Sequence, residues 1–292
     1  MKRTALRSGR GAFLLLAPAL LVYLAFVVVP YLTSAWYSLF DWDGVGDSTW
    51  VGFANYVRVF TDPTQFAAIL HAIGLIFFFS VLPIVFGLVL TATITSSRRG
   101  SWTVTRTIIF LPQVLPLVAV GVAWKWIYAQ EGLVNQFLGL VGLGDLGRAW
   151  LGDATLAFPA VGIVGTWVST GLCMVLFLSG VQKIDTGLYE AVRLDGGGRI
   201  REFFTVTLPG LRGEISVAAT VTVISALASF DVVYVMTRGG PGTATIVPGV
   251  EIYNLAFSYN QVGQASALAI VLSILVYIIV LAINLASRER TR

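Results

Sequence analysis

Six long apolar runs constrain this chain more than any other feature. They cover residues 12–33, 68–94, 107–124, 155–181, 215–236 and 265–286, and the only charge inside any of them is Asp231. A bilayer core of about 30 Å needs roughly 20 apolar residues of helix to cross it, and each run meets or approaches that length. The runs are continuous and lack the strict alternation of barrel strands, so the pattern predicts helices. Pro18, Pro30, Pro83, Pro112, Pro116 and Pro159 lie within them. Kinks are expected there, because a membrane helix tolerates proline where neighbours or water satisfy the freed carbonyls. The expected fold is an all-α polytopic membrane protein, a single transmembrane domain over residues 1–292 with six helices.

Composition agrees. Of the 292 residues, 57% are hydrophobic and 12% charged, against roughly 25% charged in ordinary globular domains. The 19 Lys+Arg against 15 Asp+Glu leave a net +4, too small and too scattered for a nucleic-acid partner. One Cys and one His exclude an internal disulfide and a Cys-based zinc cluster, and they argue against His-rich metal sites and a Ser-His-Asp triad. Neither a catalytic set nor a metal site is expected.

The distribution of the charges sets an orientation. Lys2, Arg3, Arg7 and Arg10 precede the first run, and Arg98, Arg99 and Arg106 lie between the second and third. Lys183, Arg193, Arg199, Arg201 and Arg212 lie between the fourth and fifth, and Arg288, Arg290 and Arg292 follow the sixth. That places fifteen basic residues on one side, against Arg58, Lys125, Arg148 and Arg238 on the other. The richer side is cytoplasmic by the positive-inside rule, so both termini are expected inside. The first run is long, carries Ala17-Pro18-Ala19 within it and ends on Pro30-Tyr31; it reads as an uncleaved helix and not as a signal peptide. On the outer side, Asp41, Asp43, Asp47 and Asp62 sit among Trp42, Trp50, Phe53 and Tyr56, aromatic residues suited to the membrane interface. Gly46 matches the sixth position of a calcium loop beginning at Asp41, but Gly52 stands where the twelfth needs Glu. A solvated acidic loop is the better reading.

Residues 183–213 form the longest inside segment. Leu188, Ala191 and Val192 make a short apolar face, Asp195-Gly196-Gly197-Gly198 stops that helix, and Ile200, Phe203, Phe204, Thr207 and Leu208 make a second face that Pro209 closes. The expected result is a helix–turn–helix along the inner membrane surface.

This loop carries a resemblance. Glu190-Ala191-x-x-x-Asp195-Gly196, then Phe203 and Leu208-Pro209, resemble the EAA loop of binding-protein-dependent ABC importer permeases. Val192, Gly197, Val206 and Gly213 depart from the usual Ala, Ala, Ile and Pro. The stretches Trp50–Tyr56, Leu111-Pro112, Trp124-Lys125-Trp126 and Phe230-Asp231 through Gly239-Gly240-Pro241-Gly242 resemble the maltose-type, carbohydrate-importing branch. The resemblance implies a type I importer permease in a prokaryotic plasma membrane, surrounded by lipid and paired with a second EAA permease. It also implies an extracytoplasmic binding protein that delivers a sugar, and an ABC ATPase dimer that docks on the 183–213 loop through Glu190, Ala191, Asp195, Gly196, Phe203, Leu208 and Pro209. ATP and Mg would be used by that ATPase, with no cofactor bound by this chain. The sequence agrees, since it holds no Gly-x-x-x-x-Gly-Lys-Ser/Thr phosphate loop. The loop leaves open a non-carbohydrate solute such as glycerol phosphate or a polyamine. A secondary transporter would need inverted repeats and mid-membrane acids, and only Asp231 is present.

Thr222, Ser225 and Ser229 fall on one face of the fifth run, where they either hydrogen-bond a solute or pack helices closely. The resemblance places substrate contacts on this helix. Trp167 and Ser169 on the fourth run are weaker candidates. Asp231 reads as an interfacial acid, or less readily as part of a pathway. His71 and Cys173 read as packing residues, Lys125 as snorkelling between two tryptophans, and residues 239–242 as an outer turn.

Overall fold

The computed structural model describes residues 9–95 and 102–288. Among the basic residues that set the orientation, Lys2, Arg3, Arg7, Arg98, Arg99, Arg290 and Arg292 lie outside the described residues, as do the side chains of Arg10 and Arg288. The chain divides into two compact units, one running through Thr61 and resuming at Ile252–Val271, the other covering Asp62–Glu251 and resuming at Leu272.

The first unit opens with α1, Leu15–Tyr37, whose mean hydropathy is 2.3 and whose residues are all outside the core. A two-stranded hairpin follows, β1 (Phe40–Asp41) against β2 (Thr49–Trp50), and then α2, Ala54–Thr61. Asn55 is the stitch. Its buried amide donates to Ser38 O at 2.9 Å and Phe40 O at 2.8 Å, so it holds the turn after α1 against α2. Tyr56 OH and Ser38 Oγ lie 2.6 Å apart, and Gln264 Nε2 donates to Asn55 O at 3.1 Å. Trp36, Phe40 and Trp50 cluster beside Tyr37 stacked on Trp42, which suits a water–lipid boundary. Within the acidic loop, Asp43 Oδ1 accepts from Val45 N at 2.8 Å, as in an Asx turn. No group of three His, Cys, Asp or Glu among the described residues could hold a metal.

The second unit begins with α3, Pro63–Thr95, capped by Asp62, which accepts from Thr64 N and Gln65 N while Pro63 fills the first turn. Next come α4 (Trp102–Val114), α5 (Leu117–Ile127), α6 (Leu133–Leu140) and α7 (Ala157–Val181). They are followed by α8 (Thr186–Leu194), α9 (Arg199–Gly210), α10 (Arg212–Leu227) and α11 (Asp231–Met236); the chain changes unit within α12 (Pro248–Tyr253), at Ile252, and again within α13 (Val262–Arg288), at Leu272. The core centres on α7. Its alanines and glycines let neighbours approach closely: a Cβ on Gly171 would strike the α4 backbone at Ile109 and Phe110, and one on Gly180 would lie 2.5 Å from Leu211 Cδ2.

Among the described residues four helices are long and apolar enough to cross a membrane, or up to six spans if each bent pair counts as one. Two expected spans are broken. The 107–124 run is α4 and α5, meeting at Leu115-Pro116 at 102° and not at a mild kink. The 215–236 run ends at Leu227 after the 16 residues of α10 and restarts at Asp231 as α11. Conversely, α1 and α3 run through their prolines as single helices. Val29 N bonds to Leu24 O, Leu82 N to Phe77 O and Leu208 N to Phe203 O, each five residues back and each immediately before Pro30, Pro83 or Pro209. The wide turn makes room for a ring that would otherwise crowd the carbonyl four residues earlier. Pro209 lies in the last turn of its helix, which ends one residue later at Gly210 and bends by 67° into α10.

Candidate functional site

Both interruptions border one cavity of about 340 Å³ in the second unit. The α4–α5 break contributes Gln113, Leu115 and Leu117, the α10–α11 break contributes Ala228, Ser229, Phe230 and Asp231, and α3 and α7 contribute Phe79 and Ser169. Unwound backbone is tolerated at membrane depth where it lines a cavity or is covered by protein, because lipid supplies no hydrogen bonds. The breaks thus line a candidate site as well as bending the chain.

The polar side chains around the cavity differ in what they have left to offer. Thr222 is committed: its hydroxyl donates to Ser80 Oγ and lies 2.7 Å from both that atom and Ala218 O, and the residue is 1% exposed. Ser225 donates to Val221 O at 3.0 Å and keeps its acceptor lone pairs. Ser169 and Ser229, each 7% exposed, line the cavity without a side-chain hydrogen bond to another described residue. Gln113 and Asp231 are likewise uncommitted. Four of the five candidate pathway residues therefore converge. Trp167 does not line the cavity; its ring packs edge-on against Trp124 at 5.5 Å. Gln113 was missed by sequence reasoning, although an amide between Pro112 and Pro116 in an apolar run is a legible signal.

The cavity wall at Phe79 is built with care. Pro83 has no N–H, so the wide turn Phe77–Val81 leaves a carbonyl without a helical donor, and Thr166 Oγ1 of α7 donates to Phe78 O at 2.7 Å. Thr222 pins the same turn through Ser80. Between those two anchors the Phe79 ring lies directly on Gly165, where a Cβ would overlap it.

The 183–213 segment forms the expected helix–turn–helix. Asp185 caps α8 by accepting from Gly187 N at 2.9 Å. Gly196 has φ +75°, a left-handed conformation, and Gly197 N returns to Val192 O at 2.8 Å to close the turn. A Cβ at Gly197 would lie 2.5 Å from Val192 Cγ1, so two departures from the resembled motif face each other. Arg193 Nε donates to Glu202 Oε1 at 2.6 Å and joins α8 to α9. That hydrogen bond holds the Glu202 carboxyl below the usual carboxylate range and raises Arg193 further. Tyr189 OH and Thr207 Oγ1 add a second link at 3.1 Å. Glu190, Ala191 and Asp195 are exposed; Phe203, Leu208 and Pro209 are half-buried along α9. Leu194 at 88% and Ile200 at 77% exposure leave an apolar surface around the turn that the chain itself does not cover.

The sequence profile described as "Binding-protein-dependent transport system inner membrane component" matches residues 84–292. The chain belongs to that family. It is a helical permease of the inner membrane, a transport subunit and not an enzyme. It is 38% identical over 276 residues to the probable ABC transporter permease protein YurN of Bacillus subtilis (strain 168), covering 94% of this chain and 93% of that protein. The diacetylchitobiose uptake system permease protein NgcF of Streptomyces coelicolor is 31% identical, with 98% and 85% covered. The trehalose/maltose transport system permease protein MalF of Thermococcus litoralis is 32% identical, with 96% and 92% covered. A crystal structure of a bacterial ABC transporter involved in the import of the acidic polysaccharide alginate shares the fold, with a TM-score of 0.82, 22% identity and 96% of each chain covered.

The residues read as packing sit accordingly. His71 Nδ1 lies 2.9 Å from Ile246 O with its ring against Phe158, and Cys173 is fully buried. Residues 239–242 form a turn braced by Thr245, whose hydroxyl donates to Gly240 O at 2.8 Å.

Proposed function

We propose that this permease carries a sugar or oligosaccharide into the cytoplasm through the cavity between its broken helices, driven by ATP hydrolysed on partner subunits. The observation that carries this reading is the meeting of two helix interruptions on one cavity whose polar groups at Gln113, Ser169, Ser229 and Asp231 are uncommitted. Hydroxyl-rich solutes need such donors and acceptors, and the Phe79 and Phe230 side chains offer apolar surface to the C–H faces of a sugar ring. The names of the chitobiose and trehalose/maltose relatives support the same class.

In this reading the chain crosses the membrane six times with both termini in the cytoplasm. It pairs with a second EAA permease, receives solute from an extracytoplasmic binding protein, and docks an ATPase dimer on 183–213. Glu190 and Asp195 supply charge there, Gly196 supplies the fixed turn, and Ala191, Phe203, Leu208 and Pro209 shape the two helices. Rigidity at that turn would transmit closure of the ATPases to α10 and hence to the cavity. The test is side-specific labelling of single cysteines at Asp47 and Arg199 in a Cys173→Ser background, together with uptake by the reconstituted transporter. Labelling of position 199 from outside intact cells would overturn the orientation and detach the loop from any ATPase.

A further inference from the structure

The cavity is lined by 17 residues, and the one formal charge among them is Asp231. The lining contains no Lys, Arg or His, so nothing on the wall neutralises that carboxylate. Asp231 makes no hydrogen bond or ion pair to another described residue and is exposed. It starts α11 immediately after the break, so its position is fixed by the unwound Ala228–Phe230 segment. Much of the remaining wall is apolar, and a low-polarity wall lengthens the reach of a charge compared with open water.

We propose that Asp231 is a charge filter, which makes this pathway selective for neutral or cationic solutes and against anionic ones such as uronates, sulfonates and phosphates. The proposal rests on the reading of the cavity as the solute pathway. Solute occupying the cavity comes close to the carboxylate, because Asp231 and Ser229 line the same cavity two residues apart. At a separation of about 7 Å, with a dielectric between that of protein and water, a unit charge is favoured or disfavoured about tenfold. A cation and an anion are then separated by about a hundredfold. Neutral sugars feel none of this and gain a strong acceptor for a hydroxyl.

The probe is a thiol at the cavity wall. In the full transporter, Ser229→Cys in the Cys173→Ser background would be reacted with three methanethiosulfonates: ethyltrimethylammonium, ethylsulfonate and the neutral methyl reagent. Rates are normalised to those of a free thiol. The normalised rate for the cation should exceed that for the anion by about a hundredfold. Adding Asp231→Asn should bring the two rates to within a fewfold and leave the neutral reagent unchanged, while Asp231→Glu should keep the preference. A ratio unmoved by Asp231→Asn would overturn the charge filter and leave the pathway standing. A thiol unreactive to all three reagents, in resting and turning-over transporter, would overturn the pathway reading and the filter with it.

Discussion

Replacing Gly165 by alanine tests whether Phe79 forms a wall of the transport path. An added Cβ would overlap the Phe79 ring at Cε2, Cδ2 and Cζ, whereas unstrained carbon atoms sit about 3.5–4.0 Å apart. The ring must therefore withdraw by about 1–2 Å. It cannot withdraw into the core, where Phe79 belongs to one packed cluster with Leu75, Val161, Val164 and Ala226. The backbone on either side is held by the Thr166 bond to Phe78 O and by the Thr222 bond to Ser80. The open direction is the cavity. Overpacking of this kind costs about 1–3 kcal/mol, and expressed in solute binding that is a factor of about 5–150 in transport KM. The assay is uptake in proteoliposomes with binding protein and ATPase, alongside thermal unfolding in detergent. Phe79→Leu in the same chain should restore uptake by returning the space. A Gly165→Ala permease with unchanged KM but lowered unfolding temperature would refute the argument, since the ring would then have moved away from the path.

The cavity hydroxyls should separate by their bonding. Thr222→Val, which orphans Ser80, should lower stability by about 0.5–2 kcal/mol with little change in KM, whereas Ser229→Ala should raise KM about twofold to tenfold at unchanged unfolding temperature; the reverse pattern in paired unfolding and uptake curves would show that the assignments are exchanged. Gly196→Val forces a β-branched residue into positive φ, and Glu190→Lys reverses an exposed charge. Each should reduce co-purification of the ATPase or uncouple hydrolysis from uptake while membrane insertion is normal, and full ATPase retention with wild-type transport would remove the loop from the coupling scheme. The Glu202 carboxyl is held low by Arg193, so its contribution is complete above its ordinary value and disappears as pH falls through the depressed one. Amide exchange at Gly196 and Gly197 should therefore accelerate, relative to intrinsic rates, only in acid well below the ordinary carboxylate range, and Glu202→Gln should abolish that dependence; an identical pH profile in the variant would sink the idea.

Much of this molecule is written locally. Continuous apolar runs required membrane helices, because hydrocarbon cannot satisfy a bare backbone, and four of the described helices are long and apolar enough to cross a membrane. The helix–turn–helix over 183–213 was equally legible, because its turn depends on a glycine at position 196 and on residues only three to nine apart. What the sequence could not determine was which prolines break a helix. Pro30, Pro83 and Pro209 are absorbed by wide turns, and at Pro83 a threonine 83 residues further along the chain satisfies the freed carbonyl region. Pro116 instead stands at a 102° break, and the end of α10 at Leu227 has no proline at all. Likewise, Thr222, Ser225 and Ser229 share one face, yet only packing against Ser80 removes Thr222 from the cavity's free groups, and only the α4–α5 break brings in Gln113. Helix periodicity fixes which side a residue faces, but whether a hydroxyl is satisfied depends on another helix, and that partner is chosen by tertiary packing.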